Sequence, residues 1–129
     1  MPLTPEDKNQ IAGKLRAALL KCVPPMVVSG DTKDGLALMG NKPVPYGYAK
    51  KIVPGMYFSS FTVRKDMVSF YFFPMYMTHE FKPLIPGMLK VLKGKTCFNF
   101  RKPGDINEKE LNALLKKGIA AWKKHGYMK

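Results

Sequence analysis

The chain has 129 residues, of which 46% are hydrophobic and 12% aromatic, and its 22 Lys and Arg against 9 Asp and Glu give a net charge of +13. This length and composition exclude a disordered chain and predict one folded domain over residues 1–129. The longest uncharged stretch, between Asp66 and Glu80, is shorter than the roughly 20 residues of a transmembrane helix and contains Pro74. The polar, acidic start differs from a secretory signal, so we expect a cytoplasmic protein with no membrane partner.

The two cysteines, Cys22 and Cys97, are far apart in the sequence and lack the CxxC spacing of metal and redox sites. In a cytoplasmic chain, separated thiols of this kind are usually reduced and serve as small buried side chains. We therefore predict no disulfide, no metal site and no cofactor.

The first predicted element is a helix. Thr4 suits the N-cap, Pro5 suits the first helical position, and the carboxylates of Glu6 and Asp7 stabilise the positive end of the helix dipole. Apolar residues then recur at helical spacing, at Ile11, Leu15, Leu19 and Cys22. Pro24 ends this helix, whose apolar face must pack on the rest of the domain.

Two short strands are predicted next, at Met26–Ser29 and Leu36–Met39. The Gly- and Asp-rich segment Gly30–Gly35 between them predicts a turn. A Pro- and Gly-rich crossing then leads from the second strand into the centre of the chain.

The central element is a β-hairpin over Val53–Tyr76, with the sequence VPGMYFSSFTVRKDMVSFYFFPMY. An even-numbered loop centred on Lys65 and Asp66 keeps the apolar residues on one face and the polar residues on the other. The register pairs Val63 with Val68, Phe61 with Phe70, Thr62 with Ser69, and Ser60 with Tyr71. A three-residue loop would mix the two faces, so the alternation predicts the even loop.

Three further elements complete the predicted fold. A short helix starts at Pro86 and ends at Gly94, and a further strand follows at Thr96–Phe100. The last helix has a capping box of Asn107 and Glu110, an apolar face and a lysine-rich opposite face. The pattern predicts an α+β fold: an antiparallel sheet of about five strands around the central hairpin, packed by N-terminal and C-terminal helices and one short helix.

No catalytic motif accompanies these elements. Gly94, Lys95 and Thr96 lack the first glycine of a phosphate-binding P-loop and pass from helix to strand, the wrong order. His79 lacks the second histidine of an HExxH zinc site, and His125 suits the negative end of the last helix. None of the serines lies in a GxSxG elbow. The sequence gives no catalytic and no metal-binding residue.

Tyrosines and basic residues alternate just ahead of the hairpin and recur along it. Stacking rings mixed with phosphate-binding cations are typical of surfaces that bind single-stranded nucleic acid or another polyanion. The candidate contact residues are Tyr46, Tyr48, Lys50, Lys51, Arg64, Lys65, Lys95 and Arg101. The basic residues are scattered in pairs without a longer block, so the alternative interpretation is a solvated surface with no partner.

Part of the sequence resembles the YdhG-like domains of unknown function. The similarity covers residues 50–126: the hairpin AKKIVPGMYFSSFTVRKDMVSFYFFPMY, the segment LIPGMLKVLKGKTCFNFRK and the closing LLKKGIAAWKKHG. The block LKGKTCFNF is its most specific part. The resemblance implies a compact α+β domain with an antiparallel sheet covered by helices.

The resemblance also implies an alternative function, because one family member is described as a frataxin-like iron chaperone. Iron prefers hard oxygen ligands, whereas the carboxylates of this chain come close to one another only at the two helix starts. We therefore expect an intracellular, non-catalytic binding or accessory domain that contacts an anionic partner. The alternatives are an iron chaperone and a small-molecule sensor or enzyme with an unrecognised pocket.

Overall fold

The fold begins with the helix that the sequence predicts. The computed structural model describes residues 4–23, 26–46, 51–76, 81–93 and 96–127. Helix α1 spans Pro5–Leu20, and the Thr4 hydroxyl caps it by accepting a hydrogen bond from the backbone N–H of Asp7 at 3.0 Å. Leu15 and Leu19 on its buried face have no exposed surface.

In the described part of the chain, eight strands accompany the helices. They are β1 Val27–Thr32, β2 Gly35–Met39, β3 Val44–Tyr46, β4 Lys51–Val53, β5 Tyr57–Val63, β6 Val68–Phe72, β7 Leu92–Lys93 and β8 Cys97–Phe100. Six of them form one sheet in the order β1-β2-β5-β6-β8-β7, and every neighbouring pair is antiparallel. Strands β3 and β4 pair separately. The predicted α+β fold is confirmed, with one more strand in the main sheet than expected.

The central hairpin has the predicted register. Strand β5 pairs with β6 so that Val63 lies opposite Val68 and Phe61 opposite Phe70, with Thr62–Ser69 and Ser60–Tyr71 on the other face. The backbone N–H of Arg64 donates to the carbonyl of Met67 at 2.8 Å and closes the loop around Lys65 and Asp66. The alternation of apolar and polar residues was therefore sufficient to identify this pairing.

The first predicted turn, Gly30–Gly35, is wrong because it is longer than the turn in the structure. Strand β1 continues through Gly30 to Thr32, and the chain reverses only at Lys33 and Asp34. A bulge between Val28 and Gly30 keeps the glycine in the ladder with β2. A glycine inside a strand is common at such bulges, so its presence did not mark the turn itself.

The predicted short helix over residues 86–94 is also wrong. Leu89–Val91 forms one 3-10 turn, and Leu92–Lys93 then joins the sheet as β7. The Glu110 carboxylate accepts hydrogen bonds from the backbone N–H groups of Gly87 at 3.0 Å and Met88 at 2.9 Å. A side chain of the last helix thus satisfies amides at this turn.

Helix α2 spans Glu108–Lys124 and starts where the sequence predicts. The Asn107 side chain accepts a hydrogen bond from the backbone N–H of Glu110 at 3.0 Å. The capping box is only half formed, because the Glu110 carboxylate bonds Gly87 and Met88, as described above.

Both helices pack on the same face of the main sheet. Trp122 of α2 contacts Phe58 of β5 edge to face, with ring centroids 5.8 Å apart, and Arg16 of α1 lies 5.5 Å from the centre of the Phe61 ring. The largest core side chains on this face are aromatic and fully buried: Trp122, Phe58, Phe61, Phe70, Phe72, Phe98 and Phe100. Burial of these rings is the main source of stability.

Within the described residues, neither helix combines the length and apolar character that crossing a bilayer requires.

Candidate anion-binding site

The face of the six-stranded sheet that points away from α1 and α2, here called the outer face, is polar. The strand register places its side chains in two rows across the sheet. One row is Gly35, Thr62, Ser69 and Asn99, and the other is Ala37, Ser60, Tyr71, Cys97 and Lys93. Neither row contains an acidic residue. Asp31 of β1 lies opposite the core residue Leu36 and pairs with Arg16 of α1 on the helix side.

Arg64 follows the last residue of β5, and its guanidinium is held by the outer face. Its Nε donates to the Ser69 hydroxyl at 3.1 Å, and its Nη2 donates to the Tyr71 hydroxyl at 2.8 Å. Two neutral groups therefore orient the cation without cancelling its charge. Among the described residues, Nη1 of Arg64 has no hydrogen-bond partner, and the side chain forms no ion pair.

Arg16 lies on the opposite side of the sheet, and both terminal nitrogens of its guanidinium donate hydrogen bonds to protein groups. Its Nη1 donates to the Asp31 carboxylate at 2.7 Å, and its Nη2 donates to the carbonyl oxygen of Thr32 at 2.8 Å. The ring of Phe61 lies under the guanidinium. Arg16 is therefore a structural cation, whereas Arg64 retains donors and charge for an external group.

A hydrogen-bonded network fixes the position of Arg64. Ser69, only 2% exposed, accepts the bond from Arg64 and donates to Asn99 Oδ1 at 3.0 Å. The Cys97 thiol donates to the same oxygen at 3.5 Å. The network therefore joins β6 and β8 beneath the guanidinium and limits its movement.

Burial raises the pKa values of two titratable groups near the network, Tyr57 and Cys97. It raises the pKa of the Tyr57 phenol above its ordinary value, although the hydrogen bond with Ser60 acts in the opposite direction. Burial also raises the pKa of the Cys97 thiol, against the opposing effects of the Tyr71 hydrogen bond and the Arg64 charge. Both groups are protonated at pH 7, so Arg64 supplies the charge of the cluster.

Two tyrosine rings and Arg64 follow one another along the hairpin. The hydroxyls of Tyr57 and Ser60 are 2.5 Å apart, so the Tyr57 ring points along β5. Tyr71 lies opposite Ser60, and its hydroxyl reaches the Arg64 guanidinium. We call the line from Tyr57 over Tyr71 to Arg64 the aromatic track. Both tyrosines are partly exposed, as expected for rings on the sheet face that α1 and α2 do not cover.

A shallow depression of about 220 Å³ adjoins the track on the side of β1 and β2. Its floor is low because small residues occupy it, and threonine and serine hydroxyls surround it. The lining residues on the outer face are Gly30, Thr32, Gly35, Ala37, Ser60 and Thr62. The depression can accept a flat or polar group beside Tyr71 but is too shallow to enclose a substrate.

Three of the eight predicted contact residues lie together. Val68 pairs with Phe100, so Arg101 comes next to Met67, the residue whose carbonyl accepts the bond from Arg64 N–H. Arg64, the turn residue Lys65 and Arg101 therefore share one end of the sheet, and all three are exposed. Asp34 and Asp66, in the turns at this end, and Asp105, which accepts a hydrogen bond from the backbone N–H of Arg101, offset part of this positive charge.

The other predicted contact residues lie elsewhere or outside the described residues. Tyr46 and Lys51 face each other in the backbone ladder of β3 and β4. These two strands form a separate sheet, and β4 is followed in the chain by the start of β5, whereas Arg64 follows the end of β5. Tyr48, Lys50 and Lys95 lie outside the part of the chain that the structure describes.

Sequence reasoning missed most of the network around Arg64. Tyr57, Ser60, Ser69, Tyr71, Cys97 and Asn99 were not among the predicted contact residues. The available signal was the hairpin register, which already placed Ser60, Thr62, Ser69 and Tyr71 on one polar face. The prediction that both thiols are buried is correct for Cys22 and wrong for Cys97, which is partly exposed, but both are free as predicted.

The described residues give less support for a metal site or an enzyme active site. These residues contain no group of three or more His, Cys, Asp and Glu side chains that could hold a metal ion. A cavity of about 490 Å³ is an open groove between α1 and α2, lined by residues such as Gln10, Lys14 and Asn112. Lys14 Nζ and Glu108 Oε1 form an exposed ion pair at 4.0 Å in this groove.

Comparison of the chain with protein-family models, with curated proteins and with solved structures yields no match. The resemblance to YdhG-like domains therefore stays a prediction from the residues.

Proposed function

We propose that this protein is a non-catalytic, cytoplasmic binding domain that holds a phosphate-bearing polyanion, such as a nucleic acid, on the outer face of its sheet. The observation that carries the proposal is the Arg64 guanidinium, oriented by Ser69 and Tyr71 and not neutralised by a carboxylate of the described residues. A planar guanidinium with unused donors matches two oxygens of a phosphate group. The two free cysteines agree with a reducing compartment.

The surroundings of Arg64 strengthen its attraction for an anion. Lys65 and Arg101 lie at the same end of the sheet and Lys93 lies on the outer face at its edge, while the nearby acidic residues Asp34, Asp66 and Asp105 lie beyond the two rows of the outer face. The fields of these cations add at the surface and attract phosphate groups from a distance. The helix side is basic as well, but its exposed lysines, such as Lys116 and Lys123, are flexible point charges without orienting partners of this kind.

The test is the affinity for inorganic polyphosphate, measured by calorimetry at several salt concentrations. Arg64→Gln removes one charge and the oriented guanidinium, while Ser69 keeps its bond to Asn99. Lys116→Gln removes one charge from the exposed surface of α2 and is the matched control. We expect Arg64→Gln to weaken binding by about 10-fold or more, as for loss of a charged hydrogen bond, and Lys116→Gln to have little effect.

The Arg64→Lys variant separates charge from geometry. Lysine retains the positive charge but lacks the planar fork that Ser69 and Tyr71 orient, so we expect it to restore only part of the affinity. Equal losses for Arg64→Gln and Lys116→Gln would show that binding follows net charge alone, and the proposed site would then be wrong.

A further inference from the structure

We propose that the polyanion is a single-stranded nucleic acid that runs along the aromatic track, with bases stacked on Tyr57 and Tyr71 and a phosphate at Arg64. This inference rests on the proposed function and adds the class of ligand to it. It follows from the order of the three side chains along the hairpin, two rings and then a cation.

The rings are placed for stacking because both phenol hydroxyls are tied to the sheet. Tyr57 is bonded to Ser60, and Tyr71 is bonded to Arg64. An edge contact with Phe73, at 5.7 Å between ring centroids, supports Tyr57 from the side. A ring held in this way loses little conformational entropy when a base stacks on it, and stacking accepts any base because every base has a π-face.

The depression beside Tyr71 gives the sugar and phosphate groups a place to lie. Its low floor at Gly30 and Ala37 lets a chain approach the backbone, and the Thr62 hydroxyl can donate to phosphate or sugar oxygens. Gly30 also leaves room for a bound group above the strand, because an added Cβ would meet only the Ala37 side chain, at 3.9 Å.

The same geometry disfavours a duplex. The bases of a double helix are stacked on one another and cannot lie on Tyr57 or Tyr71, so a duplex would use only the cations at the end of the sheet. Among the described residues, the rows of the outer face belong to strands of the main sheet, and neither α1 nor α2 lies on that face to enter a groove. Single strands should therefore bind better than duplexes of the same sequence.

The experiment uses the full chain and a fluorescein-labelled oligothymidylate of about ten nucleotides, within the range of single-strand site sizes. Fluorescence anisotropy at low salt gives the affinity for this probe, for its duplex with oligoadenylate and for inorganic polyphosphate.

Tyr57→Leu removes a ring but keeps an apolar side chain, and Tyr57→Phe is its control because it keeps the ring. We expect Tyr57→Leu to weaken oligothymidylate binding about 5- to 150-fold, with polyphosphate binding and the salt dependence unchanged. Tyr57→Phe keeps the ring and loses only the bond to Ser60, so it should lose less affinity than Tyr57→Leu.

A second measurement avoids any substitution. Ultraviolet crosslinking of the parent protein to a bromouracil-containing single strand should attach the probe to peptides of β5 or β6, identified by mass spectrometry. Crosslinks confined to α2 would overturn the inference.

The outcomes separate this inference from the proposed function. If polyphosphate binding depends on Arg64 while Tyr57→Leu leaves oligothymidylate binding unchanged, or if duplex binds as well as single strand, the nucleic-acid inference is wrong and the anion site stands. If polyphosphate binding is insensitive to Arg64, both fail.

Discussion

The two thiols differ in what surrounds them, and this difference is measurable. Cys22 is only 5% exposed and donates to the backbone carbonyl of Ala18 at 3.8 Å. Burial raises the pKa of this thiol from its ordinary value of 9.0 to about 11. Cys97 instead belongs to the polar network under Arg64. A core thiol and a surface thiol thus share one short chain, and only Cys97 should react with alkylating reagents in the native state.

The raised pKa of Cys22 predicts a loss of stability at high pH. Above pH 9 the unfolded chain releases the Cys22 proton while the folded protein retains it up to about pH 11, so the unfolded state is favoured as pH rises through this window. The free energy of unfolding in urea, measured with a reducing agent, should therefore fall more steeply for the parent than for Cys22→Ala between pH 9 and 11. A constant difference between the two proteins over that range would contradict the assignment.

At the scale of the element, two helix glycines show how differently one residue type can be used. An added Cβ on Gly118 of α2 would lie 2.5 Å from Cζ of Phe72 and 2.9 Å from Cε1 of Phe58, whereas one on Gly13 of α1 would meet nothing within 4 Å. Gly118 therefore lets α2 approach the sheet closely, and Gly13 has no such role in the described contacts.

The two glycines predict opposite effects of the same substitution. Gly118→Ala should destabilise the protein by about 1 to 3 kcal/mol, because overpacking outweighs the gain in helix propensity. Gly13→Ala should stabilise it by about 0.5 to 1 kcal/mol, because propensity acts alone there. Urea denaturation of both variants checks the pair. If Gly118→Ala were as stable as Gly13→Ala, the close packing of α2 on Phe58 and Phe72 would be wrong.

Elements with a local signal could be predicted from the sequence, and elements fixed by distant contacts could not. The register of β5 and β6 follows from alternation over adjacent residues, and the start of α2 follows from Asn107. The segment after Pro86 has helical spacing but does not form a helix. Its amides bond to the Glu110 carboxylate, 22 and 23 residues away in the chain, and no local pattern reveals that contact.

At the scale of the whole molecule, the candidate site depends on strands that are distant in sequence. Alternation indicated that Ser69 and Tyr71 share a polar face with Ser60. It did not indicate that β8 pairs with β6, which brings Asn99 under Ser69 across 30 residues. Arg64 was a predicted contact residue, but the reason for its importance, the network that orients it, exists only in the folded sheet.

The fold also separates residues that the sequence placed in one group. Arg64 and Arg101 meet at one end of the main sheet, whereas Tyr46 and Lys51 belong to the separate strand pair β3 and β4. A net charge of +13 is thus distributed over both sides of a one-layer sheet, and only on the outer face is an arginine held without a carboxylate partner among the described residues. Net charge alone does not distinguish these two sides, so a measurement that resolves position is needed.

The most direct test of the anion site is a ¹H–¹⁵N NMR titration of the full chain with short-chain inorganic polyphosphate. Amide resonances on the outer face, above all those of Arg64, Ser69, Tyr71 and Asn99, should shift together and saturate with one affinity, because the ligand occupies one oriented site. Amides of α2 near Lys116 should stay in place. Shifts that are spread over the lysines of α2, with the outer face unchanged, would contradict the account and leave the charge as a solvated surface.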